Sequence, residues 1–275
     1  MPDQRRTKST YDLQWNRYRI VRPEEDRATF TNRTGLDGDL SGMLVLDAGC
    51  GMGRYLRVAV ERGARAVGLD LSWSLDAAAE LSRDRPPIGL VRGDLLRPPL
   101  AAGTFDHIYS LGVLDHTPDP RAAFLSLAGL LRPGGRIVVW VYRRERPALE
   151  AVIRAHRGVS TRLPLGVLLP LCRLLAPVGG LKRRLMASGN RLVSRAGVAL
   201  NVLTIGVSMH PDAEVRVCDT LDWYAPKYMT RHTVEEVRGW FAEAGLVDVG
   251  DPSAGRAYYY AGQGNGVNLA GFRPA

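Results

Sequence analysis

Residues 44–55 read "LVLDAGCGMGRY": a short apolar run, an acid, three glycines at alternate positions, then arginine and an aromatic ring. The apolar start reads as a buried strand. Glycines packed so closely behind it make a tight turn whose backbone can approach a ligand. A dinucleotide loop needs GxGxxG. Here Gly49, Gly51 and Gly53 give GxGxG, and the third dinucleotide position falls on Arg54. Asp47 stands two residues ahead of the first glycine. A carboxylate beside a pyrophosphate is repelled, most of all where water is thin. The same carboxylate suits a ligand that carries positive charge.

The chain around this loop alternates strands and helices. "MLVLDAG", "AVGLDLS", "IGLVRGD", "FDHIYSLG" and "RIVVWVY" read as five strands, with helices at Arg54–Arg62, in "SLDAAAELSRD" and in "DPRAAFLSLAGLL". Asp119 and Pro120 form a helix start, and "RPGG" reads as the turn that ends that helix. Such alternation predicts βαβ units and a parallel sheet. After Tyr142 the rhythm breaks. Residues 147–207 read as helices separated by Pro and Gly. The body resumes at "HTVEEVRGWFAEAGL", where Thr233 and Glu236 make a capping box and Gly245 a stop. "LVDVGDP" and "GVNLAGFRP" read as two last strands joined by a Gly- and Tyr-rich loop.

Two further acids fit a cationic nucleoside. Asp70 ends the second strand, where an acid can accept both hydroxyls of a ribose. Asp94 follows the third strand, within reach of an adenine amino group. S-adenosylmethionine carries an ammonium and a sulfonium and no phosphate, and it matches this set. Bland alternatives stand beside each assignment: Asp70 and Asp94 as caps of their own turns, Gly53 as a close-packing residue, Leu71 as core, and Trp15 as a packing residue.

"VLDAGCGMGR", "GLDLS", "GDLLRPPL", "FDHIYSLGVLDHTPDP" and "LRPGGRIVVWVY" together resemble the successive motifs of class I S-adenosylmethionine-dependent methyltransferases. The resemblance is to the small-molecule branch that includes the quinone-biosynthesis enzymes. It covers Leu44–Tyr142 and, more loosely, Thr233–Pro274. It implies an α/β fold: a Rossmann-like, seven-stranded, mostly parallel sheet with helices on both faces, its last strand antiparallel, and a helical insertion or lid after the fifth strand. It implies Asp47, Gly49, Gly51 and Gly53 around the methionine moiety, Asp70 on the ribose, Leu71 on adenine, Asp94 and Leu95 at the adenine edge, and Ser110, Leu111 and Gly112 under the sulfonium. The segments are then a helical cap (1–40), a cofactor-binding core (41–146), a basic insertion (147–220) and the rest of the core with a substrate loop (221–275).

Methyl transfer needs a base only when the acceptor holds a proton of high pKa. His116, just past the fourth strand, is the candidate, with Asp115 either orienting it or facing solvent. The bland reading is a turn histidine bonded to backbone. "DTLDWYAPKYMTRHT" reads as a loop that roofs a substrate pocket with Trp223, Tyr224 and Tyr228, or as an aromatic anchor for the insertion. "AYYYAGQGNG" offers a further pocket rim. No metal site is expected, because Cys50, Cys172 and Cys218 are scattered. The polar, basic start without an apolar signal core leads to an expectation of a reducing cytoplasm.

The net charge of +9 is uneven. Residues 147–207 hold nine Lys/Arg against one acid, Glu150, while the rest of the chain has 28 basic and 27 acidic residues. Three readings follow: a lid over substrate, a peripheral contact with an anionic membrane, or a nucleic-acid surface. The lid is preferred and membrane contact comes second. Nucleic acid is not expected, because "SLGV" lacks the motif of base-methylating enzymes. A transmembrane span is not expected either, because Pro164, Pro170, Arg173 and Pro177 interrupt the apolar run. The function expected is methyl transfer from S-adenosylmethionine to a small molecule at O, N or C. The rival is the same fold binding the cofactor without transfer.

Overall fold

The computed structural model describes residues 4–256 and 266–275, which form two compact units. The first holds residues 11–144 and 228–275, with Gln4; the second holds residues 5–10 and 145–227. Helix α1 (Arg5–Arg17) therefore contributes to both.

The first unit is built on strands β1 (Leu44–Ala48), β2 (Arg65–Asp70), β3 (Gly89–Arg92), β4 (Phe105–Leu111), β5 (Leu131–Tyr142), β6 (Val247–Gly250) and β7 (Gly266–Phe272). Their order is β3-β2-β1-β4-β5-β7-β6. The first five are parallel, and β7 runs antiparallel to β5 and β6. This is the seven-stranded sheet expected. Both faces are covered, which is why the central strands read as nearly unbroken apolar runs. On one face Leu46, Ile108 and Val139 meet Phe124 of α5 (Pro120–Ala128) and Phe241 of α10 (Val234–Glu243). On the other, Val45, Tyr109 and Val138 meet Phe30 of α2 (Pro23–Thr34) and Leu56 of α3 (Arg54–Glu61). Strand order reverses between β1 and β4, so a crevice opens at their carboxyl ends, where such sheets bind ligands.

Local signals hold. Asp119 accepts the Ala122 N–H at 3.0 Å, and Thr233 and Glu236 make both capping-box bonds. Strand β5 starts earlier than the sequence predicts. "RPGG" is part of it, and Gly134, at φ 73°, donates to the Arg273 carbonyl at 3.0 Å. The chain leaves this unit after β5 and rejoins it alongside the same strand. His232 N–H donates to the Tyr142 carbonyl and Arg144 N–H to the His232 carbonyl, both at 2.9 Å.

The second unit packs α7 (Leu165–Met186) against α8 (Arg191–Leu203) and α9 (Ala213–Tyr224), with α6 (Pro147–Ser160) on α9. Two expectations are corrected here. Pro170 and Pro177 do not interrupt α7. Both are exposed, while the opposite face is held by close packing; a Cβ on buried Gly179 would lie 1.9 Å from the Ser208 carbonyl. Tertiary packing has overridden the breaker signal. By length and composition α7 could cross a membrane, although a third of it is buried. "DTLDWY" is also no loop. Asp212 caps α9 by accepting from Glu214 and Val215 N–H, and Val217, Cys218 and Leu221 form its buried face. The second unit runs on past α9 to Lys227. Arg6 ties it internally, donating to the Ala225 and Leu163 carbonyls at 2.9 Å each. Lys182, wholly buried, donates to the Val207 carbonyl at 2.7 Å.

Candidate active site

The glycine loop bends at the end of β1 with Gly49, Gly51 and Gly53 at φ 89°, 52° and 85°. L side chains rarely adopt these angles. Space forbids substitution too: a Cβ on Gly49 would sit 2.3 Å from Val113, and one on Gly53 3.0 Å from Ala78. Gly53 therefore serves close packing against α4 (Leu75–Leu81) as well as the turn. Asp70 ends β2 and ties the loop down. One carboxylate oxygen accepts the Gly51 N–H at 2.9 Å, and the other accepts the Ser72 N–H and hydroxyl at 2.8 and 2.6 Å. Asp70 thus makes the turn bonds of the bland reading; the oxygen on Ser72 already accepts two bonds, and the one on Gly51 keeps a lone pair for a ribose hydroxyl. Asp94 accepts the Leu96 N–H at 3.0 Å, again a turn bond, and the Gln4 amide at 2.7 Å.

Asp47 pairs with Tyr109 across β1 and β4. It is 3% exposed, and its Oδ2 has no hydrogen-bond partner among the described residues. Burial pushes its carboxyl up to about 8, against the opposing effect of the Tyr109 hydroxyl and with a further rise from Asp70. A buried acid with an orphaned oxygen fits a cationic ligand, which would favour its ionised form. The residues present therefore suit the ammonium of S-adenosylmethionine and the ribose hydroxyls.

The N-terminal segment lies over these loops. Gln4 meets Asp94 beyond β3, Asp12 accepts the Trp73 N–H at 2.6 Å beyond β2, and the Trp15 indole is 3.2 Å from where a Gly51 Cβ would be. The Arg54 guanidinium lies 5.7 Å from the Trp15 ring and pairs with buried Asp26 at 3.2 Å.

Residues 46–139 match the family described as a methyltransferase domain. A ubiquinone biosynthesis O-methyltransferase of Rhizobium johnstonii is 30% identical over 178 residues, 64% of this chain and 71% of the relative. The chain belongs to the class I S-adenosylmethionine-dependent methyltransferases. The same-named protein of Xanthomonas oryzae pv. oryzae is 30% identical over 131 residues, 46% of this chain and 55% of the relative; the chain spans about half the length of such curated relatives. Among solved structures, the fold matches a Burkholderia thailandensis 1,6-didemethyltoxoflavin-N1-methyltransferase with bound S-adenosylhomocysteine: TM-score 0.54, 17% identity, covering 98% of this chain and 88% of that one. It also matches a complex of a Haloferax volcanii Trm112 methyltransferase activator with its putative methyltransferase, at TM-score 0.55 and 17% identity, covering 96% and 98%.

On the other half of the crevice, His116 lies in a short 3-10 turn (Leu114–His116) and is 4% exposed. Its Nδ1 is 3.1 Å from the Tyr228 carbonyl. A carbonyl only accepts, so Nδ1 carries the proton and Nε2 the lone pair of the neutral ring. Asp115 does not face solvent. It is buried, and its carboxylate accepts the Tyr142 N–H at 3.1 Å, while its carbonyl accepts the Thr230 N–H at 2.9 Å. The His116 ring meets Tyr11 and Tyr142 edge-on at 5.5 and 6.0 Å between centroids, and Tyr142 meets Trp140 at 5.2 Å.

The remaining candidates fall in different places. Ser110 is buried and its hydroxyl donates to the Ala48 carbonyl at 2.8 Å, strapping β4 to β1. Leu95 joins the apolar core, and Leu71 is half-buried. Trp223 and Tyr224 belong to the second unit. Both pack against Gly206, and the Tyr224 hydroxyl donates to the Ile205 carbonyl, as an anchor does. Tyr228 belongs to the first unit, against His116. Residues 257–265, most of the third pocket-rim candidate, lie outside the described residues. The sequence reading missed Tyr109, Trp140 and Tyr142. Strand alternation was the available signal: Tyr109 stands opposite Asp47, and "VVWVY" puts two rings on one face at the ligand end of β5.

Proposed function

We propose that the protein transfers a methyl group from S-adenosylmethionine to a small-molecule acceptor. The observation that carries this reading is that one N-terminal segment touches all three loops expected to hold the cofactor. When bound, the cofactor supplies an electrophilic methyl carbon on its sulfonium. The chain's own work is to orient and to exclude water. Asp70 and the glycine loop hold the nucleoside, Asp47 faces the ammonium, and α1 covers them. His116 accepts the proton of an acceptor O–H or N–H at Nε2, with Nδ1 fixed by the Tyr228 carbonyl.

The test is incubation with methyl-labelled cofactor and a cell extract, separated into polar metabolites, lipids, nucleic acid and protein. Label in a small-molecule pool supports the reading. Label confined to nucleic acid or protein refutes the substrate class. Cofactor bound but never turned over to S-adenosylhomocysteine would favour the rival, a binding protein of the same fold.

For the second unit, contact with an anionic lipid surface has a specific observation in its favour. Nine of the thirteen large apolar side chains exposed among the described residues lie in residues 147–207. Val167, Leu171, Leu174 and Leu181 recur at helical spacing along the solvent side of α7, with Arg173 and Arg184 beside them. An apolar stripe edged by arginines suits a membrane interface. Co-sedimentation with phosphatidylglycerol vesicles but not phosphatidylcholine vesicles, lost in Leu174→Gln, is the expected result. No vesicle binding would return the segment to the lid reading.

A further inference from the structure

Arg33 is a half-buried arginine of the sheet unit whose guanidinium has no oxygen partner among the described residues. It stands in the last turn of α2, where a cation is favoured by the helix dipole. That accounts for its charge and leaves its placement unexplained. Arg54, Arg57, Arg62 and Arg136, also half-buried, each donate to an acid or a carbonyl. The Arg33 guanidinium carbon sits over the Trp140 ring instead, 4.0 Å from its centroid. A contact with a ring uses none of the hydrogen-bonding capacity of an oxygen acceptor, so the N–H donors of the guanidinium can still pair with one.

The platform under it is fixed. Trp140 is 8% exposed, and a Cβ on Gly266 would lie 2.2 Å from its ring. Asn268, paired with Trp140 across β5 and β7, donates its amide to the Arg33 carbonyl at 3.0 Å, pinning the turn that carries the guanidinium. The Oδ1 of Asn268 is buried without a hydrogen-bond partner among the described residues. Trp140 also borders Gly112, 3.5 Å from where a Cβ would be, next to the expected place of the sulfonium. From there the rings of Tyr142, His116 and Tyr11 continue in sequence.

We infer that Arg33, backed by Trp140, binds an oxyanion carried by a flat, ring-bearing acceptor, whose ring lies along the aromatic file toward His116. A fork of donors pairs with a carboxylate or phosphate through two parallel bonds, and flat rings complement a flat acceptor. This rests on the methyltransferase reading for the role of the bound molecule, and the two are separable by experiment.

The probes are para-hydroxybenzoate, its neutral amide and para-hydroxyphenyl phosphate, titrated by ligand-observed NMR into the full chain with and without S-adenosylhomocysteine. One or both anions should bind wild-type protein about tenfold tighter than the amide, the usual scale of a charged hydrogen-bonded pair. Whichever anion is preferred identifies the group. Arg33→Gln should erase the difference while its calorimetric S-adenosylhomocysteine binding stays intact, which also reports that the variant is folded. Arg33→Lys, which keeps charge without the fork, should retain part of the preference and serves if the Gln variant fails to fold. Equal binding of anions and amide, no binding of any probe, or a preference that survives in Arg33→Gln overturns the assignment. Arg33-dependent anion binding in a protein that never binds S-adenosylhomocysteine would sink the methyltransferase reading and leave the subsite standing.

Discussion

At the carboxyl ends of β1 and β2, loops are tied to one another by hydrogen bonds: Gly51 and Ser72 to Asp70, and Trp73 to Asp12. At the ends of β4 and β5, side chains meet mainly as rings: Tyr11, His116, Tyr142 and Trp140, with Arg33 on the last. Hydrogen-bonded turns demand particular residues at particular positions and give one geometry. Ring packing tolerates exchange of one ring for another with modest shifts. The first construction suits a ligand that never changes, and the second suits one that varies between relatives.

Substitutions should therefore separate the halves. The largest effect belongs to Gly49→Ala, which meets both a positive φ and Val113. We expect a loss of about 3 kcal/mol or more in stability or cofactor affinity, seen as a collapsed melting transition or absent calorimetric binding. A normal melt with normal affinity would show that the loop is softer than drawn. Next, His116→Gln should lower turnover about a hundredfold and leave S-adenosylhomocysteine affinity unchanged; equal losses in both would erase the division of labour. Asp70→Asn should weaken S-adenosylhomocysteine binding about tenfold with little change in turnover at saturation, and unaltered affinity would reduce Asp70 to a turn residue.

The smallest effect is in pH. The Asp47 carboxyl sits at about 8 in the ligand-free protein. A bound ammonium favours the ionised form, so its pKa falls in the complex and a proton leaves on binding. Affinity for S-adenosylhomocysteine should then rise about fivefold between pH 7 and pH 8, and Asp47→Asn should flatten that rise. A flat wild-type profile would mean that Asp47 does not sense the ligand's charge.

The cofactor half was legible because its signals are local. Glycines at alternate positions, acids at strand ends, a capping box at Thr233 and a helix start at Asp119 are each decided within a few residues. What closes in three dimensions was not legible. Nothing near Arg33 in the sequence points to Trp140, more than a hundred residues on, and Ser110 reads as a cleft residue until its hydroxyl is found on Ala48. The insertion misled for the same reason. Pro170 and Pro177 are breakers locally, but α7, packed on α8 and α9, continues through them. Asp219–Tyr224 looked like a loop because its aromatics hid the one-sided apolar stripe that makes α9 a helix.

The clasp between Tyr142–Arg144 and His232 brings the two ends of the 145–227 segment side by side on one strand of the sheet. An excursion that starts and stops at nearly one point places little demand on its own length. Loop-closure cost grows only slowly with the number of residues enclosed, and the sheet registers neither the addition nor the removal of a helix beyond the clasp. The segment can therefore be exchanged like a fitting on a socket while β1, β2 and their loops stay as they are.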